Sequence, residues 1–405
     1  MIDRHRNVGA ATSGALALVA LAALCIACGG ASNGGTAGPQ PSGGNTSPGP
    51  QATGPPPPFP LSVPSGFHVT MVSENVPGAR FMAVAPDGDL LVSETGSGQV
   101  VAIAAGSAYN AQPKVVASNV NRPHGLAFHN SDLYVATWDG LDVIRNYPTG
   151  SLQTLYSGLL ENSDHNNRSL AVSADGTTVY ESYGSNNNIA TPPPQSPAEN
   201  SILAMSSNGS GVQAYATGVR NGSGLAFDGN GHLWMVVNQR DNVSPNTATN
   251  DANPVDELDQ VQAGADYGYP YCYPPNGNTN IARVPNPEYP ASNCASYARV
   301  SLGLLAHSAP LGIVFYTASQ FPAQYQGDAF VAFHGSWNSS VPHGDKVVAV
   351  TFSGGVATGY QDFVTGWLSG GSYLDRPVGL AVGPDGSLYI SSDQNGWIYK
   401  VTYGQ

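Results

Sequence analysis

The sequence predicts an all-β protein folded as a six-bladed β-propeller. Two observations carry this expectation: one strand–turn–strand unit recurs six times, and helical periodicity is almost absent. The copies start at "RFMAVAPDGDLLVSET" (Arg80), "RPHGLAFHNSDLYVAT" (Arg122), "RSLAVSADGTTVYESY" (Arg168), "RNGSGLAFDGNGHLWMVV" (Arg220), "PLGIVFYTASQFPAQYQGDAFVAF" (Pro310) and "RPVGLAVGPDGSLYISS" (Arg376). Each joins an apolar strand to a second one through a turn rich in Asp, Gly or Asn. The first three recur at about 44 residues, and insertions stretch the later ones. A third strand follows in most copies, as in "GQVVAI" and "GWIYKVTY". The stretch "GFHVTMVSENV", from Gly66, is placed to supply the outer strand of the last blade and close the ring. A two-sheet sandwich would not repeat one hairpin in this way.

The chain before the propeller divides in two. Residues 1–28 read as a lipoprotein-type signal peptide: Arg4 and Arg6 precede an apolar stretch, and small residues flank Cys28. Cys28 is the expected lipid anchor, although Cys25 stands three positions earlier where leucine is usual, and plain secretion is the alternative. Gly29 gives no sign of inner-membrane retention, so the expected location is the outer membrane facing the periplasm, or the cell surface. Residues 29–60 are Gly, Ser, Asn, Thr and Pro, with too little apolar surface to offset ordering entropy, and read as a disordered tether. Residues 61–405 form the propeller domain. In an exported chain, its two cysteines, Cys272 and Cys294, favour a disulfide over a metal site.

Charge narrows the function. The chain carries 14 Lys and Arg against 27 Asp and Glu, a net charge of −13, and only 10% charged residues. Nucleic acid is not an expected partner, because phosphate binding needs clustered cations. The few cations are not scattered: Arg80, Arg122, Arg168, Arg220 and Arg376 each sit near the start of a blade's first apolar strand. That strand lines the central channel, so these arginines converge on its mouth as an anion-binding funnel. The plainer alternative is that each ties its blade to a neighbour. His165, in "SDHNNRSLAV", belongs to the same ring beside Asp164. Nearby cations favour its neutral, proton-accepting form, which suits a general base, whereas an isolated histidine is more often structural.

Four stretches, "SDHNNRSLAV", "VRNGSGLAFDGNGHLW", "PVDELDQVQAGADYGYPYCYP" and "APLGIVFYTASQFPAQYQGDAFVAFHGSWN", closely resemble the glucose/sorbosone dehydrogenase family, nearer its sorbosone branch. The resemblance spans about residues 60–405, and the last two stretches are the specific ones. It implies an exported six-bladed propeller that uses pyrroloquinoline quinone and calcium to oxidise an aldose or sugar aldehyde. It makes His165 the base, Arg220 and Asn221 the holders of the quinone and its reacting carbonyl, and Arg376 a partner of a cofactor carboxylate. Arg122 and Asp164 join the cofactor-binding set. Gln239, Arg240 and Asp241 become the calcium ligands, partly through backbone carbonyls. The physiological electron acceptor is not implied.

Three departures stand out. Where the family's glucose enzymes have an aspartate orienting the base, this chain has Ser185. The segment 334–338, "HGSWN", stands where those enzymes use a lysine, and Leu374 replaces one of two arginines before the last blade. The implied chemistry is proton removal from a lactol or hydrated aldehyde by His165 with hydride transfer to the quinone, aided by Arg220 and calcium. The competing classes are a calcium-dependent lactonase, using Asp164, Asn166, Asn221 and Asp241, and a non-catalytic carbohydrate-binding propeller.

Overall fold

In the computed structural model, residues 54–161, 165–191 and 196–404 are described. Cys28, most of the tether and Asp164 lie outside them. Among the described residues, six antiparallel sheets of four or five strands follow one another around a central axis, with two further two-stranded ribbons. The innermost strands are Ala79–Val84, Leu126–His129, Leu170–Val172, Gly222–Phe227, Pro310–Phe315 and Pro377–Val382, one for each repeat. The sixth sheet is completed by Phe67–Ser73, which pairs with Trp397–Tyr403 so that Phe67 faces Tyr403. The first strand of the fold thus closes the ring, as the sequence predicts, and joins the two ends of the domain through backbone hydrogen bonds.

The blades cohere through apolar faces packed between neighbours. Trp234, Phe315, Val331, Phe333 and Val348 fill the space between the fourth and fifth blades. Val92, Val101, Tyr389 and Ile398 do the same between the first and sixth. Truncating a buried aromatic such as Phe333 to alanine would cost about 3–5 kcal/mol. At the axis the strands come so close that two glycines of the repeat are required. A Cβ on Gly125 would lie 2.6 Å from the Arg168 carbonyl of the next blade, and one on Gly379 would lie 2.5 Å from that of Arg80. The glycine of "GLAF" therefore sets inter-blade spacing.

Ordered chain begins before the expected boundary at residue 60. The Pro55 carbonyl accepts a hydrogen bond from the Met71 amide, and Phe59 stacks on Trp397. Aromatic burial at Phe59 outweighs the Pro-rich character of this short stretch.

The expected disulfide is present. Cys272 and Cys294, with Cα atoms 5.9 Å apart, staple the excursion of the fourth blade. Within it, Arg283 is 5% exposed and forks onto Glu257 with bonds of 2.9 and 2.6 Å, fixing the insertion to the blade.

Candidate active site

The loops that enter the inner strands meet in a cavity of about 670 Å³ at the channel mouth. His165, Arg220, Asn221, Gln239, Asp241 and Arg376 all line it, and so does Arg80. These residues come from four blades, and the ring topology alone brings them together.

His165 is half-buried just ahead of the third blade's inner strand. Its Nδ1 lies 2.9 Å from the Ser185 carbonyl and 2.7 Å from the Ser185 hydroxyl. A carbonyl can only accept, and the hydroxyl donates its own proton to the Asn187 carbonyl at 2.8 Å. Nδ1 therefore carries the proton and Nε2 is left as the basic atom. Burial, and then Arg220, hold the imidazole well below its usual pKa, so it is neutral at physiological pH. Ser185, a departure from the family pattern, thus fills the orienting position without adding charge.

Arg220 is 3% exposed, and all of its N–H groups find partners in the wall. Nε donates to the Asn188 carbonyl at 3.0 Å, and Nη1 to the carbonyls of Asn238 and Gln239 at 3.2 and 2.7 Å. Nη2 donates to Asn188 Oδ1 at 2.9 Å and to Asp241 Oδ2 at 3.5 Å. It acts on the cavity through its charge, and the Asp241 bond is the weakest to exchange. Asn188 Nδ2 also donates to the Asp241 carbonyl at 3.0 Å, joining the third blade to the fourth. Asn221 places a buried Oδ1 with no partner among the described residues at this wall. Arg376 donates to the carbonyls of His334 and Gly335, each at 2.9 Å, from Nε and Nη2.

Other expectations need correction. Arg168 is fully buried and turns between blades, donating to the carbonyls of Trp138 and Leu160. The inter-blade alternative holds for it. Arg122 opens on an adjoining cavity rather than this one. Arg240 turns away from the mouth to Glu288, at 2.5 Å. Leu374 is 38% exposed at the surface.

Sequence reasoning missed several wall residues. Asp256 takes the amides of Gln239 and Ala309 at 2.8 and 3.0 Å, and burial raises its carboxyl pKa to about 7. His334, in the segment where a lysine was expected, donates from Nε2 to Asp393 at 2.9 Å. Trp337 stands 73% exposed at the rim. His307 and Ala309 both hold left-handed backbone, with φ of 58° and 51°. Such strain at non-glycine residues gathers at functional sites.

Residues 61–404 match the TrAA12-like family. The chain belongs to the TrAA12-like family. An uncharacterized protein of Borreliella burgdorferi is 27% identical over 85% of this chain and 91% of its own length. A pyrroloquinoline quinone-dependent pyranose dehydrogenase of Coprinopsis cinerea is 25% identical over 86% of this chain, which spans only 55% of that protein. The solved holo form of the Coprinopsis pyranose dehydrogenase PQQ domain superposes with a TM-score of 0.75 at 23% identity, covering 87% of this chain and all of that one. A calcium structure of a Trichoderma reesei AA12 enzyme gives 0.72 at 21%, covering 85% and 98%. These likenesses show that the TrAA12-like propeller is shared.

Proposed function

We propose that this protein is a quinone-dependent sugar dehydrogenase oxidising the lactol or hydrated aldehyde of a small sugar, with His165 as general base. One observation carries the reading: a neutral histidine, with no partner for Nε2 among the described residues, faces a cavity bordered by Arg80, Arg220 and Arg376. Neither the lactonase nor the glycan-binding alternative uses that pairing. The relatives' names support a sugar as substrate, and sorbosone is one member of that class.

The residues fit a flat polycarboxylate quinone. The mouth is cationic within an acidic chain, and the unpartnered Asn221 Oδ1 marks a wall built for a polar ligand. Arg80 and Arg376 would hold its carboxylates, and Asn221 its edge. When bound, the quinone supplies a carbonyl carbon that accepts hydride. His165 would take the hydroxyl proton on Nε2 while Ser185 keeps the ring in the required tautomer. Arg220, buried beside it, would stabilise negative charge developing nearby. The exposed face of Trp337 offers an apolar surface for a sugar ring.

Gln239, Arg240 and Asp241 do not fit a calcium shell as arranged. The Gln239 carbonyl already accepts from Arg220, and Arg240 is a cation paired elsewhere. No step is routed through calcium.

The quinone also requires an external electron acceptor. The N-terminal signal and Cys28 suit a site of action outside the inner membrane, tethered only by lipid. Purified protein reconstituted with pyrroloquinoline quinone should reduce an artificial acceptor when given aldoses. Absence of turnover across aldoses and sugar aldehydes, with quinone bound, would overturn the reading.

A further inference from the structure

A second cavity, of about 410 Å³, adjoins the first and shares Arg80, His334 and Arg376 with it. Three guanidinium groups, those of Arg80, Arg122 and Arg376, border it against the single carboxylate of Asp393. That carboxylate is already committed, to Arg80 at 2.5 Å and to His334 at 2.9 Å. Arg122 stacks over Trp138 at 4.1 Å and forms no ion pair among the described residues. Its backbone φ of 49° is left-handed, a strained conformation for a non-glycine residue.

His124 lines the same cavity. It is 2% exposed, and neither ring nitrogen has a partner among the described residues. Burial, reinforced by Arg80, Arg168 and Arg122, keeps it neutral. A neutral imidazole still carries one N–H, so whatever completes this site must accept a hydrogen bond. With Arg80 and Arg376 committed to the quinone and to Asp393 and Asp345, Arg122 and the unfilled His124 donor, in a chain of net charge −13, still select an anion. Arg122 is exposed, as suits a group meeting a ligand that exchanges.

We propose that this cavity receives a carboxylate of the substrate, so that the preferred sugar is an acidic aldose, a uronate. The inference rests on the dehydrogenase reading and deepens it. The lactol carbon would lie toward His165, and the carboxylate would lie between Arg122 and His124. Oxidation breaks the C1–H and O1–H bonds of the lactol. A bound quinone would supply the two-electron acceptor for the hydride, His165 Nε2 would take the proton, and a C1=O bond would form, leaving the lactone of an aldaric acid.

The test uses binding, so that it does not depend on turnover. Methyl β-D-glucuronide keeps the carboxylate but has no free C1 hydroxyl, and methyl β-D-glucoside is its neutral counterpart. Calorimetry at low salt on the full chain, quinone-loaded, should show the glucuronide binding at least about tenfold more tightly. Arg122→Ala should cut that preference by about 10- to 100-fold, the usual worth of a charge-assisted hydrogen bond. Quinone affinity should stay within about twofold of the parent protein. Equal binding of the two glycosides would overturn the inference. So would an Arg122→Ala protein that loses quinone affinity instead, because the cation would then serve the cofactor. Turnover with free sugars separately decides the dehydrogenase reading.

Discussion

His165 is oriented by Ser185 through a shared Nδ1 proton, 2.9 Å from the serine carbonyl and 2.7 Å from its hydroxyl. The pair fixes the tautomer without a carboxylate, and the hydrogen bond to the Ser185 carbonyl only partly offsets the lowering of the histidine pKa by burial and Arg220. Turnover should therefore keep its plateau below the ordinary histidine value near pH 6.5, falling only as Nε2 is protonated at lower pH.

Ser185→Asp reverses that balance. A carboxylate beside Nδ1 stabilises the imidazolium, so the acid limb of the pH–rate profile should move up by about one unit or more. Ser185→Ala keeps the carbonyl partner and should leave the limb nearly in place. Profiles that coincide for all three proteins would remove Ser185 from the account as a positioning residue.

Arg220→Lys keeps a charge but loses the planar fork that serves Asn188, Asn238, Gln239 and Asp241. Two or more buried carbonyls would lose a donor, at about 1–3 kcal/mol each. Thermal unfolding should shift to lower temperature and turnover should fall. An unaltered melting curve would show that the wall does not depend on this residue.

Much of the fold was legible in the sequence because each blade is a local repeat. The turn after Ala85 is set by neighbours in sequence, and the closing strand was the one apolar run without a blade. The site was legible only in part. Spacing places Arg168, Arg220 and Arg240 near the channel, but not the direction of each side chain. Only packing sends Arg168 between blades and Arg240 to Glu288. Asp256, His307 and His334 meet at the mouth from a strand end and two separate loops, so no local motif announces them. The role of Ser185 depended on geometry, since a hydroxyl replaces the carboxylate that sequence reasoning looked for.

The disulfide closes a loop with a sequence separation of 22 residues. Replacing Cys272 and Cys294 with serine should cost about 3 kcal/mol through the unfolded chain's entropy. Chemical denaturation of the double variant measures this, and a loss under about 1 kcal/mol would mean that Arg283 and Glu257 hold the insertion unaided.

Glu181 is fully buried, with neither oxygen partnered among the described residues, and burial raises its pKa to about 8. A raised carboxyl contributes stability at low pH and loses it as pH rises from its unfolded value toward its folded one. Glu181→Gln should therefore gain in melting temperature over the parent protein between about pH 5 and 8 and hold that gain above. A difference independent of pH would contradict the assignment.

The most direct test of the central claim is His165→Ala, followed by steady-state turnover and quinone titration on the same preparation. If His165 is the base, kcat falls by about 10²- to 10⁴-fold while melting temperature and quinone affinity stay near those of the parent protein. If the histidine is structural, the melting temperature falls and the protein that still folds turns over at the parent rate, which would contradict the account.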